Sequence, residues 1–283
     1  MKKRIVCGLT LLFMLVPGLA LSSSAVARPV EDYTWVGPTG DPLPFESFQD
    51  AEEFLAASEV ARSKTRRDGV NKYKKVVLDK DGIWANSIFR WERVVRRPGL
   101  DTSRHFRDSY QSEVAAYKIN EILGLNNIPP TVYREVEGRS GSIQLWMEKT
   151  TKEVDRRKKG TKPPDVTSWN RQSHDMRIFD NLINNIDRNQ NNILIDKDWN
   201  LWLIDHTRSF AMDWTLPEPD KVSRCSRTLY NALKQMDEGL VRETLTPFLS
   251  ESEVEAFFVR REKLIELLED RVAEVGESKV FYD

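Results

Sequence analysis

The sequence predicts an α+β protein in two lobes, a small sheet with one helix packed on it followed by a mainly helical half. Three observations carry this. Residues 48–150 read as helix, hairpin, helix and two strands. Residues 149–167, "KTTKEVDRRKKGTKPPDVT", are charged and contain Pro163-Pro164, which makes them the best boundary in the chain. Beyond them helical spacing dominates. The expected division is 1–27 leader, 28–47 extended lead-in wrapping the surface, 48–150 front lobe, 151–168 linker loop and 169–283 rear lobe.

The elements follow in order. "FESFQDAEEFLAAS" places Phe48, Ala51, Phe54 and Leu55 on one side of a short helix. "KYKKVVL" and "IWANSIFRWERV" flank "DKDG", and Asp81-Gly82 is a strong hairpin signal. In "RDSYQSEVAAYKINEILGL" the apolar residues Val114, Tyr117, Ile119, Ile122 and Leu123 recur near helical spacing, and Gly124 supplies a stop. Pro129-Pro130 forbids helix and starts two strands, "TVYREVEG" and "GSIQLWMEK". In the rear half, "SHDMRIFDNLINNI" puts Met176, Phe179, Leu182, Ile183 and Ile186 on one helix face. "SESEVEAFFVRREKLIELLEDRV" opens on a Ser/Glu capping signature and runs long. No internal repeat is visible.

The ends and the charge bound the function classes. "MKKR", an apolar run and "SSSAVA" read as a secretory signal peptide cleaved after Ala27, with a retained anchor as the alternative. The mature chain keeps a single cysteine, Cys225, so no internal disulfide supports the fold. The balance of 43 Lys and Arg against 44 Asp and Glu offers no basic excess for nucleic acid. No later stretch is apolar enough to span a membrane.

The chemistry concentrates in "NNIDRNQNNILIDKDWNLWLIDH", Asn184 to His206. A helix ends, Asp187 opens a loop, Asn192 closes it, and a short hairpin leads to Asp205. Asp and Asn build turns in many loops, so a purely structural reading stands beside the functional one. The functional reading is phosphoryl transfer, which asks mainly for positioning and charge neutralisation. Asp187 has the place of the carboxylate that orients an attacking hydroxyl and takes its proton. Asn192 and Asp205 supply the hard oxygen ligands suited to magnesium or manganese. The three histidines, His105, His174 and His206, lie too far apart for a zinc site. Arg188 is expected to brace the loop by pairing with a carboxylate.

These residues resemble the catalytic and metal loops of atypical kinases of phosphoinositide-kinase and HipA type. They are also similar to secretory-pathway kinases that modify exported proteins. With "FRDSY", "EVAAY", "LGL" and "DHTRSF" the chain also resembles a group of uncharacterised exported bacterial proteins with an atypical kinase-like core. The resemblance covers roughly residues 50–265. It implies a two-lobed protein-kinase-like fold, with ATP and a magnesium or manganese ion as cofactors. It implies a hydroxyl on a protein, glycan or small molecule as acceptor. It places Glu113 as the helix carboxylate that anchors a strand cation, Arg90 where such kinases carry lysine, and Gly69 in the phosphate-covering turn. "WME", ending at Glu148, falls at the hinge that meets adenine. Two classes remain open: an active exported transferase moving a phosphoryl or nucleotidyl group, and a kinase-like binding module without catalysis.

Overall fold

A computed structural model describes residues 35–68, 71–96 and 105–283. The expected signal peptide and Gly69 lie outside the described residues. The lead-in does more than wrap the surface. Its Trp35 is buried, with its ring centroid 5.3 Å from Phe48 in the front lobe and 5.8 Å from Trp202 in the rear lobe. An aromatic ring in contact with one from each lobe stitches the lobes together.

Ser47 caps α1 (Phe48–Ala57): its hydroxyl accepts from the Asp50 N–H, and the Asp50 carboxylate accepts from the Ser47 N–H. The four apolar residues that the spacing singled out are buried. The strands β1 (Glu59–Asp68), β2 (Asn71–Lys80) and β3 (Ile83–Arg90) follow. Asp81 (φ 55°) and Gly82 (φ 81°) both sit in the left-handed region. A two-residue turn between right-twisted strands demands that conformation. A small hairpin, β4 (Arg93–Arg96) and β5 (Phe106–Ser109), leads into α2 (Tyr110–Ile122), which is capped by the Ser109 hydroxyl and ended by Gly124 at φ 67°. With β6 (Thr131–Val136) and β7 (Arg139–Leu145), the front sheet is antiparallel throughout in the order β1-β2-β3-β7-β6. Strand β1 adds to the strands expected from the sequence. "EVARSKTRRD" has no apolar alternation, and the strand is held by its pairing to β2 at the sheet edge.

The expected linker loop is a second correction. Residues 151–168 carry β8 (Thr151–Lys152), the helix α3 (Glu153–Lys159) and the start of α4 (Val166–Leu182). Glu153 in the first turn of α3 pairs with Arg156 and Arg157, each at 2.6 Å, and Gly160 at φ 66° ends the helix. Side-chain charge therefore supports a helix where composition suggested a loop, because the acid stands at the N-terminus and the cations toward the C-terminus. The strands β9 (Ile193–Ile195) and β10 (Leu201–Leu203) complete a three-stranded sheet in the order β10-β9-β8.

In the rear core the long α7 (Glu251–Val275) packs against α4 and α5 (Arg227–Lys234), while α6 (Glu238–Leu245) packs on α2, with Phe179, Leu182, Phe257 and Leu264 buried. At the start of α7 the Glu253 carboxylate accepts from the Ser250 N–H and hydroxyl. Farther along, buried Arg260 donates to the carbonyls of Leu182, Ala211 and Asp213. It thus ties α7 to both chain segments that flank the candidate site. Ile186 corrects the expected helix face: α4 stops at Leu182, Asn184 turns at φ 54°, and Ile186 is 58% exposed.

Candidate functional site

The site begins where α4 ends. Arg188 is the hub of the loop. Its guanidinium donates to both oxygens of Asp180, the closest contacts being 3.0 Å. It also donates to the backbone oxygens of Asn192 (2.7 Å) and Ile204 (2.9 Å), and to His206 Nε2 (2.7 Å). One side chain thereby fixes the loop from 187 to 192 and the far end of the β9–β10 hairpin. The expected brace is present, with Asp180 as its carboxylate. The Asn192 Nδ2 donates to the Asp187 carbonyl at 3.0 Å, which puts Oδ1 on the opposite side of the amide. The Ile204 N–H donates to the Asn192 carbonyl at 3.2 Å, so the hairpin brings Asn192 and the chain just before Asp205 to one edge. Asp205 itself sits at φ 61°, a conformation that aspartate tolerates better than most residues, and accepts from the Thr207 hydroxyl.

Behind this edge lies a buried charge chain. On β3, the Arg90 Nε is 3.6 Å from Glu113 Oε1 and its Nη2 is 3.6 Å from Asp205 Oδ2. Glu113, on α2, is 1% exposed at its side chain and also accepts from the His206 N–H at 3.0 Å. Because Arg188 can only donate, His206 Nε2 must accept, so the ring proton stands on Nδ1 and faces Glu113 Oε2 at 3.6 Å. Burial disfavours the imidazolium and pulls the His206 pKa down. Burial also penalises the Glu113 carboxylate, yet the Arg90 charge and the His206 hydrogen bonds outweigh it and hold Glu113 well below the usual carboxylate range. For Arg90 burial works against the charge, and Asp205 and Glu113 more than offset it.

This chain gives stability a pH dependence. Glu113 titrates lower folded than unfolded, so its contribution is full above the usual carboxylate pKa and shrinks as the pH falls below it. Urea unfolding midpoints between about pH 6 and about pH 3 should therefore fall steeply in the native protein. In Glu113→Gln they should start lower and fall less. Parallel curves for the two proteins would remove Glu113 from this role.

Between the lobes lies a cleft of about 640 Å³. Tyr73, Ile88 and Arg90 line it from the front sheet, Trp146, Met147 and Glu148 from the irregular segment after β7 that joins the lobes, and Asp187, Asn192 and Asp205 from the rear. Arg90, Glu148, Asp187, Asn192 and Asp205, distant in sequence, thus share one cavity. Glu113 does not line the cleft and touches Arg90 and His206 behind its wall. The Glu148 carboxylate accepts from Asn86 Nδ2 at 2.6 Å, tying the hinge to β3.

Two residues escaped the sequence reading. Arg208 also lines the cleft, with Nη1 3.5 Å from Asp187 Oδ2 and Nε 3.2 Å from Asp108 Oδ2. His206, set aside as an isolated histidine, is the link between Glu113 and Arg188. The only available signal was position, since both lie within three residues of Asp205.

Among the described residues no group of three or more His, Cys, Asp or Glu side chains is placed to hold a metal alone. A carboxylate and an amide oxygen at one cleft edge still fit a magnesium-type ion that takes its remaining oxygens from phosphates and water. Among the described residues no helix is long and apolar enough to cross a membrane.

No protein-family model matches the chain, and no curated protein matches it in sequence. Solved structures do match its fold. Hydra Fam20, determined with sugar, aligns with a TM-score of 0.64 over 83% of this chain and 92% of its own, at 16% identity. The Golgi casein kinase, determined with Mn and ADP bound, aligns at 0.59 over 83% of this chain and 78% of its own, also at 16% identity. At such identity the likeness is one of architecture. The chain has an atypical kinase-like core in a two-lobed protein-kinase-like fold, with a five-stranded antiparallel sheet in the front lobe and a mainly helical rear lobe.

Proposed function

We propose that the protein is an exported phosphotransferase that moves a phosphoryl or nucleotidyl group from a nucleotide to a hydroxyl acceptor. One observation carries this: Asp187, Asn192, Asp205 and Arg90 line a single cleft between the lobes of a kinase-like fold. Asp187 orients the acceptor hydroxyl and takes its proton as the oxygen attacks phosphorus and the bond to the leaving part of the nucleotide breaks. Asn192 and Asp205 would hold magnesium or manganese, which supplies charge neutralisation at the donor phosphates. Arg90 fixes Asp205 from the front lobe, and Glu113 fixes Arg90. Arg208 brings a second cation to Asp187, where charge on the transferring group develops. Met147 and Glu148 border the adenine side. The resemblance would give Gly69 the phosphate-covering role. Export rests on the basic, apolar and small-residue pattern of residues 1–27.

A second reading, a kinase-like binding module, is favoured by the arginine at the strand-lysine place. Arg90 lies 3.6 Å from Asp205, so a planar cation already neutralises the metal carboxylate. Melting temperature with ATP, with manganese and with both tests the ligand assignment, since a ligand of the folded state alone raises it. The combination should raise it more than either alone. Asp205→Ala should abolish the metal-dependent part and leave the circular-dichroism signal unchanged. An equal shift in both proteins would take the metal away from Asp205.

A further inference from the structure

The hairpin over the cleft carries a charge pattern that its own fold does not explain. Between Glu59 and Lys75 stand seven Lys and Arg against two acids, in a chain whose formal net charge is −1. Strand β1 is the edge of the front sheet, and its residues from Ala61 to Arg67 are exposed on both faces. Arg62, Lys64 and Arg66 alternate and share one face. Lys64 stands directly opposite Lys75, and Arg67 opposite Lys72. Like charges directly opposite one another destabilise a strand pair. Lys74 finds a partner in Glu137, and Lys75 lies over the Trp146 ring. Arg62, Lys64, Arg66, Arg67 and Lys72 make no ion pair with another described side chain.

A few charges suffice to keep an edge strand from pairing with stray chains. Five cations without an ion pair to a described side chain, two cross-strand like-charge pairs and an edge exposed from Ala61 to Arg67 exceed that need. The backbone of an edge strand presents N–H and C=O groups at alternate residues, ready for one more strand. We propose that β1 is the docking edge for an extended acidic segment of a partner protein, which adds to the front sheet as a further strand. Backbone hydrogen bonds supply its register, and its carboxylates neutralise Arg62, Lys64 and Arg66. The face it meets is shared with Tyr73, opposite Arg66, and Tyr73 lines the cleft. The docked segment therefore runs beside the cleft mouth. A membrane surface fits less well, because the exposed stretch offers no aromatic or large aliphatic anchor among the cations. The proposal concerns a surface outside the cleft and holds whether or not a group is transferred there.

The test is fluorescence anisotropy with the full mature chain, without nucleotide. The probe is a labelled Asp- and Glu-rich peptide of ten residues, the length of β1. The native protein should bind it, and Arg62→Gln/Lys64→Gln/Arg66→Gln should bind at least ~10-fold more weakly, as should a peptide of equal charge with proline at alternate positions, since strand addition needs the peptide N–H groups. The triple variant should melt no lower than the native protein. Equal binding of the proline peptide would reduce the site to charge alone and overturn strand addition. Equal binding by the triple variant would move the site elsewhere. Binding to phosphatidylglycerol vesicles but not to the peptide would make the hairpin a membrane contact and overturn the proposal.

Discussion

Arg90→Ala is expected to lower stability by about 3–5 kcal/mol, the range for removing one partner of a buried ion pair. The loss comes less from the missing attraction than from what remains. Glu113 stays buried on α2, with the His206 N–H as its remaining close donor and no cation beside it. Asp205 is partly exposed and can turn to water, so its share of the loss is small. Urea unfolding of the native protein and the variant measures the difference. Arg90→Lys should recover only part of it, because one ammonium cannot face Glu113 and Asp205 with separate nitrogens as Arg90 does. Glu113→Gln in the Arg90→Ala background should restore some stability, since a neutral amide needs no counter-charge. A loss near that of an ordinary surface substitution would mean that water reaches Glu113 and that the charge chain from β3 to the loop at Asp187 is not continuous.

The legible parts of the protein were those with local signals. Asp81-Gly82 marks its turn by backbone demand, and Gly124 marks the end of α2 for the same reason. The apolar spacing of Phe48, Ala51, Phe54 and Leu55 fixes one buried face whatever the rest of the chain does. Asp187, Asn192 and Asp205 were legible because a helix end and a short hairpin place them with few alternatives. What stayed hidden depends on partners far away in sequence. Strand β1 has no apolar alternation to mark it and is defined by its pairing with β2. Helix α3 is held by Glu153 with Arg156 and Arg157, a pattern that composition alone cannot separate from a solvated loop. Ile186 fits a helical face in sequence, but Asn184 leaves the helix first. His206 and Arg208 acquire meaning only when Asp108 from β5, Glu113 from α2, and Asp187 and Arg188 from the loop after α4 arrive beside them.

Asp187→Asn is expected to reduce turnover by at least ~10²-fold, the usual scale for losing a positioned base, with nucleotide affinity changed only a few fold. Asp187 lines the cleft beside Asn192 and Asp205 but offers the nucleotide no ligand in the proposed arrangement. Its main-chain oxygen, which holds the Asn192 amide, is untouched by the change. The side chain does face Arg208, so a modest loss of stability accompanies the substitution. If the protein only binds, the same variant should show that modest loss and nothing more. Transfer of label from γ-labelled and α-labelled ATP, with magnesium and with manganese, into the protein itself and into an extract of the exported fraction separates these outcomes. The expected result is metal-dependent incorporation by the native protein that Asp187→Asn abolishes, with the position of the label telling phosphoryl from nucleotidyl transfer. Incorporation that survives Asp187→Asn, or none from the native protein with any metal and label, would contradict the transferase reading.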